Sequence, residues 1–496
     1  MIVDSYTEYA YNHLTLLESK LAETQKQLKT SPASSDLRVR KNALVTKLKQ
    51  FKDECELDEK TISSYERCLC DICDDEIEFG VARYHCVDCA DFDICLKCAK
   101  TQDHKHSMFI QRCFTDEYQT KVKRGSSISD ILNRAFHCYW NRPCFSLTPF
   151  IRWYTFGDIY GFVRSFSTRL VTDFDLKARD FVSICGNVSI EWLVADIACV
   201  FQSLVTVPLH TNMIDDDLIK VINNCQIKCV ICTSEELQKK LQALQCPSLK
   251  HVILFKNAED HLLDHADWID IIHKTVDTEN DLLTIIHTSG STGIPKGAMF
   301  TEKLWKSFIS TTLSTLTPLV QLAFEPLCSM SERENVYFTF CSGGRTGICA
   351  EPDRIFEDIR LLQPSRLGCT PRFWNVLFSE FQCEYAAQVE KHPQEDPDLI
   401  RERITVQFRS MFGTRLLGVS TGGAPISDTV KQFMIRCFGA HRVYEGYGCT
   451  EVGDIADGDG SLCAGVKIKL EDVPELGKED FSASEVQLLF NFSFTQ

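Results

Sequence analysis

The stretch Leu282-Leu283-Thr284-Ile285-Ile286-His287-Thr288-Ser289-Gly290-Ser291-Thr292-Gly293-Ile294-Pro295-Lys296-Gly297 joins a short apolar run to a loop of small residues that holds one lysine. The run 282–287 reads as a strand, because short β-branched runs suit the interior of a parallel sheet. The loop after it suits phosphate. Glycines let the backbone approach an anion, hydroxyls and amide N–H groups donate to phosphate oxygens, and Lys296 brings a mobile positive charge. It is not a Walker loop, since the Gly-Lys-[Ser/Thr] ending is absent.

Outward from this stretch the same pattern repeats. FVSICG (181–186), CVICT (229–233) and HVILF (251–255) read as strands, and 190–201 between two of them has a helical pattern. Alternation of this kind predicts an α/β fold, a layered sheet with helices on its faces. We assign it to a large domain over residues 116–496.

Composition sets the limits. At about 150 residues per domain, 496 residues make two to four domains. A formal charge of −16, from 53 Lys+Arg and 69 Asp+Glu, argues against a nucleic-acid protein, which needs a basic face. The most apolar window, 192–209, is broken by Asp196, Gln202 and Ser203 and reads as no membrane span. The opening MIVDSYTEYA lacks the basic-then-apolar order of a secretory signal. The expected location is therefore the cytoplasm, with peripheral attachment to a membrane left open. In that reducing compartment the 25 cysteines read as metal ligands or core residues rather than disulfides.

Eight of those cysteines fall between Cys68 and Cys113. Cys70-x2-Cys73, Cys86-x2-Cys89 and Cys95-x2-Cys98, followed by His104 and His106, supply eight ligands, enough for two closed zinc sites. So short a segment, 67–115, has too little apolar content for its own core, so metal would supply the folding energy, on the order of 10 kcal/mol or more per ion. Ahead of it, residues 1–66 carry leucines at three-or-four spacing on both sides of Ser31-Pro32, which predicts a helical hairpin or short coiled coil. Such a pair serves self-association or packs on its own chain.

The run CDICDDEIEFGVARYHCVDCADFDICLKC resembles a ZZ-type zinc finger. The resemblance implies a cross-brace, with Cys70, Cys73, Cys95 and Cys98 on one zinc and Cys86, Cys89, His104 and His106 on the other. The two histidines are closely spaced, so His85 or Cys113 is an alternative ligand. The resemblance further implies a peptide reader, in which Asp71, Asp91 and Asp93 hold a peptide N-terminus by charge-assisted hydrogen bonds.

The loop 288–297, Gly422-Gly423-Ala424-Pro425 and Tyr444-Glu445-Gly446-Tyr447-Gly448-Cys449-Thr450-Glu451 together resemble the adenylate-forming superfamily of acyl-CoA synthetases and related ligases. TSGSTGIPKGAMFTEKL, LQPSRLGCTPRFWNVLFSEFQ and KIKLEDVPELG read like the adenylation domain of carboxylic acid reductases. The resemblance implies activation of a carboxylic acid, a fatty acid above all, with Mg-ATP, then transfer to coenzyme A or a carrier thiol. Thr288, Ser289, Gly290, Ser291, Thr292, Gly293 and Gly297 would wrap the phosphates, with Lys296 and Thr292 acting on the leaving pyrophosphate. Tyr447 would stack on adenine, lined by Gly422, Gly423, Ala424 and Pro425 and flanked by Glu445, Gly446 and Gly448. Thr450 would contact the α-phosphate and Glu451 would hold magnesium.

Two departures from that family stand out. In Pro326-Leu327-Cys328-Ser329 a serine stands where many relatives carry a histidine beside the acyl carboxylate, and it offers neither charge nor ring. No Tyr-x-Thr-Gly-Asp string for the ATP ribose follows residue 451, and no small C-terminal ligase domain with its lysine. The expectation is a C-terminally truncated adenylation domain that binds ATP more readily than it turns over. The alternatives are a reductase-type unit serving a separate carrier and a catalytically dead scaffold for the zinc finger.

Overall fold

The computed structural model describes residues 125–470, apart from 151, 273–280, 289–294, 313–318, 350, 414, 452, 464, 465 and 468. Outside that span it describes Cys98, Val122, the short strand Val486–Gln487, which pairs antiparallel with Lys469–Leu470, and the short strands of the cysteine-rich module named below. The hairpin expected over 1–66 lies outside the described residues.

Within the span read as one large domain, the chain divides into two compact units. One runs to Leu367 and takes back 406–417; the other comprises 368–405 and 418–496.

The first unit is built on a six-stranded sheet in the order His251–Leu254, Cys229–Cys232, Phe181–Cys185, Val205–Thr206, Leu282–Thr288, Lys296–Thr301. The first five are parallel and the last runs antiparallel to Leu282–Thr288. Cys229, Val230, Ile231 and Cys232 are all buried, which is why this strand reads as an unbroken apolar run. Helix Ile190–Phe201 is buried on nearly its whole circumference, only Glu191 reaching partway out, so it sits inside the core rather than on a surface. Ser189 starts it, its hydroxyl accepting from the Trp192 amide at 3.1 Å. Helix Phe156–Thr172 begins with a capping box, in which Thr155 and Asp158 satisfy each other's amides.

A second, four-stranded sheet in this unit runs Val320–Ala323, Arg345–Ile348, Pro143–Leu147, Tyr154–Thr155, the first three parallel. Aromatic side chains fill the core of this unit. The Phe136 and Phe340 rings meet edge to face at 4.9 Å, and Phe166 stacks on Phe255 at 3.8 Å.

The second unit carries the sheet Arg366–Cys369, Gly418–Gly422, Val443–Cys449, Gly453–Asp457, the chain entering the unit along the first strand. Helices Pro371–Lys391 and Asp428–Phe438 pack together through Phe381 on Phe433 (4.9 Å) and Trp374 on Phe438 (6.0 Å). Trp374 also donates its indole N–H to the Ser420 carbonyl at 3.2 Å, which fixes the long helix to the sheet.

In the cysteine-rich module, Ala82–Cys86 pairs antiparallel with Phe92–Cys95 on one side and Met108–Arg112 on the other, and Cys68–Leu69 pairs with Glu76–Ile77. No described helix is long and apolar enough to cross a membrane.

Candidate active site

Strand Leu282–Thr288 delivers the small-residue loop to the C-terminal edge of the parallel sheet, the edge at which open α/β sheets bind ligands. The chain returns as Lys296–Thr301 with Thr288 opposite Lys296 and His287 opposite Gly297. Thr288 and Lys296 therefore sit side by side at the root of the loop, and the Thr288 hydroxyl donates to the Lys296 carbonyl at 3.5 Å. The Lys296 side chain is exposed, as a cation meant for a bound anion must be. Gly297 is a close-approach position: a Cβ there would stand 2.7 Å from Ile285 Cγ2 and 3.1 Å from His287 Nε2. Ser289, Gly290, Ser291, Thr292 and Gly293 lie outside the described residues.

The root of the loop is anchored from below. Thr284 donates its hydroxyl to the Thr206 carbonyl at 2.9 Å and accepts from Arg333 Nη1 at 2.8 Å. Arg333 is wholly buried and paired with Asp196. His287, just before the loop, has a buried Nδ1 with no hydrogen-bond partner among the described residues, and burial holds its ring below the usual imidazole range.

At the same edge Cys328 Sγ lies 3.1 Å from His210 Nδ1. Burial pushes the Cys328 thiol up to about 12 and lowers His210, so both are neutral near pH 7. Sequence reasoning passed over His210. It follows an apolar run without any spacing motif, and its thiol partner is 118 residues away.

The other expected residues belong to the second unit. Parallel register sets Thr421 beside Glu445 and Gly422 beside Gly446, so the two glycine-bearing strings lie along one another. A Cβ on Gly422 would stand 2.9 Å from the Gly446 carbonyl oxygen. Gly423 has φ +78° with open space where a Cβ would be, and Ala424 and Pro425 are exposed beside it. Tyr447 is 50% exposed at a bulge in strand Val443–Cys449, with glycines on both sides of it in the chain. A Cβ on Gly446 would meet only Asp454 Oδ1, at 3.9 Å, whereas one on Gly448 would collide with the Gly453 carbonyl oxygen. The exposed Tyr447 ring is a surface that fits a planar base. Glu445 is committed to Lys431, 2.7 Å away. Thr450 and Glu451 occupy the turn after the strand, Glu451 exposed. Among the described residues no three metal-ligating side chains converge. A single carboxylate suits magnesium that takes its remaining oxygens from phosphates and water.

Of the zinc-module residues, Cys86 and Cys95 end their strands, Asp93 is in register with His85, and Cys98 is buried. Cys70, Cys73, Cys89, His104, His106, Asp71 and Asp91 lie outside the described residues, as does Cys113.

Residues 133–473 match the model of the AMP-binding enzyme family. The chain belongs to that family. Residues 65–108 match the zinc finger of ZZ type. Among curated relatives, this AMP-binding enzyme is 27% identical over 372 residues to the carboxylic acid reductase of Mycobacterium marinum, covering 67% of this chain and 31% of that one. It is 28% identical over 324 residues to long-chain-fatty-acid–CoA ligase 6 of Mus musculus, covering 56% and 46%. The chain thus spans about a third to a half of the length of such relatives. In fold it is similar to the adenylation domain of the carboxylate reductase from Mycobacterium chelonae (TM-score 0.64, 21% identity, 76% of this chain and 67% of that one). The Segniliparus rugosus counterpart, in complex with AMP and a co-purified carboxylic acid, gives TM-score 0.63 at 19% identity, over 75% and 69%. The adenylation-domain α/β fold expected from the sequence is the fold of this AMP-binding enzyme.

Proposed function

We propose that this AMP-binding enzyme activates a carboxylic acid with Mg-ATP. A carboxylate oxygen attacks the α-phosphorus, the bond to the bridging oxygen breaks, and pyrophosphate leaves; a thiol then attacks the acyl carbon and displaces AMP. The observation that carries this reading is the hairpin at the sheet edge, with exposed Lys296 beside Thr288 at the root of a Ser/Thr/Gly loop. Lys296 and the hydroxyls of the loop, Thr292 among them, neutralise charge gathering on the departing pyrophosphate, where preorganised donors have most effect. Tyr447 stacks on adenine against the Gly422–Pro425 string, Thr450 meets the α-phosphate and Glu451 holds magnesium.

The acid is a long-chain fatty acid and the acceptor coenzyme A in the reading favoured by the mouse ligase. The Mycobacterium marinum reductase supports a second reading, in which a carrier thiol takes the acyl group. In front of this domain, from 116 onward, stand the zinc module 67–115 with two structural ions and the helical segment 1–66. The zinc module reads peptide N-termini through Asp71, Asp91 and Asp93.

Pyrophosphate release by the purified chain, with Mg-ATP and a panel of fatty and aromatic acids, tests the proposal. Acid-dependent release that falls by about 100-fold or more in Lys296→Ala is the expected result, in line with the loss of one transition-state donor. Folded, zinc-loaded protein that releases none would overturn it and leave the peptide-reading scaffold.

A further inference from the structure

Leu209 belongs to the parallel sheet by its backbone, its amide donating to the Ile184 carbonyl at 3.0 Å, and His210 is the next residue. Thr206 is in register with Thr284 on the adjacent parallel strand. His210 lies four positions beyond Thr206, and Thr288 lies four beyond Thr284. The His210 backbone therefore reaches the same edge, the same number of residues beyond the shared register point, as the start of the phosphate loop. Cys328 reaches it from the turn that follows strand Val320–Ala323, so the contact joins the C-terminal edges of the unit's two sheets.

The pair admits an arrangement that leaves a donor free on the ring. With the Cys328 thiol, kept protonated by burial, donating its S–H, Nδ1 of a neutral imidazole is the acceptor and the ring proton sits on Nε2. Among the described residues the ring has no other hydrogen-bond partner, and His210 is only half-buried. Nε2–H is thus a neutral donor presented at the edge. Cys185 and Leu209, which pair across the sheet, and Cys328 beside the ring are buried. The triphosphate is served by Lys296 and the loop hydroxyls, which leaves this neutral donor for the acid.

We propose that His210 Nε2–H binds the carboxylate of the acid substrate, and that Cys328 is a positioning residue that holds the ring in the required tautomer. The inference rests on the acid-activating reading above and adds the residue that receives the acid.

The test compares His210→Leu, Cys328→Ser and Cys328→Ala in the full chain, with thermal melting as the folding control. Removing a hydrogen bond to a carboxylate predicts a rise in KM for the acid of about tenfold or more in His210→Leu, with KM for ATP within about twofold. Cys328→Ser keeps a donor and stays near wild type. Cys328→Ala retains the ring but frees its tautomer, so a fraction of the molecules present Nδ1–H, and 15N chemical shifts of the labelled imidazole move accordingly. An unchanged acid KM in His210→Leu, or an equal rise for ATP, would overturn the proposal. Should the wild-type chain release no pyrophosphate, the acid-activating reading falls, and the same variants are read by calorimetric titration with palmitate. Palmitate binding that weakens in His210→Leu and persists in Cys328→Ser then upholds the carboxylate contact; binding that is absent or equal in all chains overturns it.

Discussion

Arg333 and Asp196, both wholly buried, meet in a two-pronged ion pair, with Nη2 2.6 Å from Oδ1 and Nε 2.8 Å from Oδ2. Tyr337 donates its hydroxyl to Asp196 Oδ2 at 2.7 Å, and Arg333 donates further to the Thr284 and Thr206 hydroxyls. The Arg333 guanidinium carbon also lies 4.9 Å from the centre of the Trp305 ring. Helix Met330–Cys341, helix Ile190–Phe201 and two strands under the phosphate loop are therefore tied at one point. Asp196→Asn leaves a buried cation without its counter-charge and is expected to destabilise the chain by about 3–5 kcal/mol. Urea unfolding measures this, and a shift of the midpoint worth less than about 1 kcal/mol would show the pair to be dispensable.

Glu332, next to Arg333, makes a prediction about pH. Burial, with the nearby Glu325 carboxylate, pushes its carboxyl from 4.5 up to about 8, against the opposing pull of the Phe324 and Glu325 amides. Folding therefore takes up a proton in the range between those values. Stability from this group is full below about pH 4.5 and is lost as pH rises through about 8. Glu332→Gln, which carries no ionisable proton, is expected to melt with a flatter pH dependence and above wild type at pH 8. Parallel melting curves for the two chains across pH 5–8.5 would count against a buried neutral Glu332.

Tyr447 is half exposed, so replacing it removes little packing. Base stacking on an aromatic ring is worth about 1–3 kcal/mol, so Tyr447→Ala is expected to raise KM for ATP about tenfold or more, while Tyr447→Phe stays near wild type. Steady-state kinetics at saturating acid gives the answer. An ATP KM unmoved by the alanine would remove Tyr447 from the nucleotide site.

The zinc module predicts a stoichiometry. Two ions per chain are expected by atomic absorption, falling to one in Cys86→Ser, and chelation should melt the short strands because the bound metal supplies most of their folding free energy. An unsubstituted chain that holds a single zinc would break the cross-brace expectation.

The strands Phe181–Cys185, Cys229–Cys232, His251–Leu254 and Leu282–Thr288 were legible to within a residue, as was helix Ile190–Phe201. All but His251–Leu254 are buried over most of their length, and burial on both faces writes itself into sequence as a short apolar run; His251–Leu254, at the sheet edge, keeps the apolar run although only Ile253 is buried. The second sheet of the first unit was not legible. Arg345 and Thr346 in one strand and Gln321 in another interrupt the apolar pattern, although all three residues are buried. The division of 116–496 into two units was equally hidden, because both are alternating α/β chain with no composition change at 367–368 or at 405–406.

The sequence by itself determined the chemistry on offer: the small-residue loop with Lys296, the glycine strings around Tyr447, the cysteine pairs, and the family to which they point. Those signals are local, carried by residues adjacent in the chain whose types are restricted by backbone approach, stacking or metal ligation. Tertiary structure alone decided which distant groups meet. It set Cys328 against His210 and Arg333 against Asp196 across 118 and 137 positions. It also brought Gly446 beside Gly422. Such pairs depend on strand order, register and the packing of one sheet beside another, and no spacing along the chain encodes them.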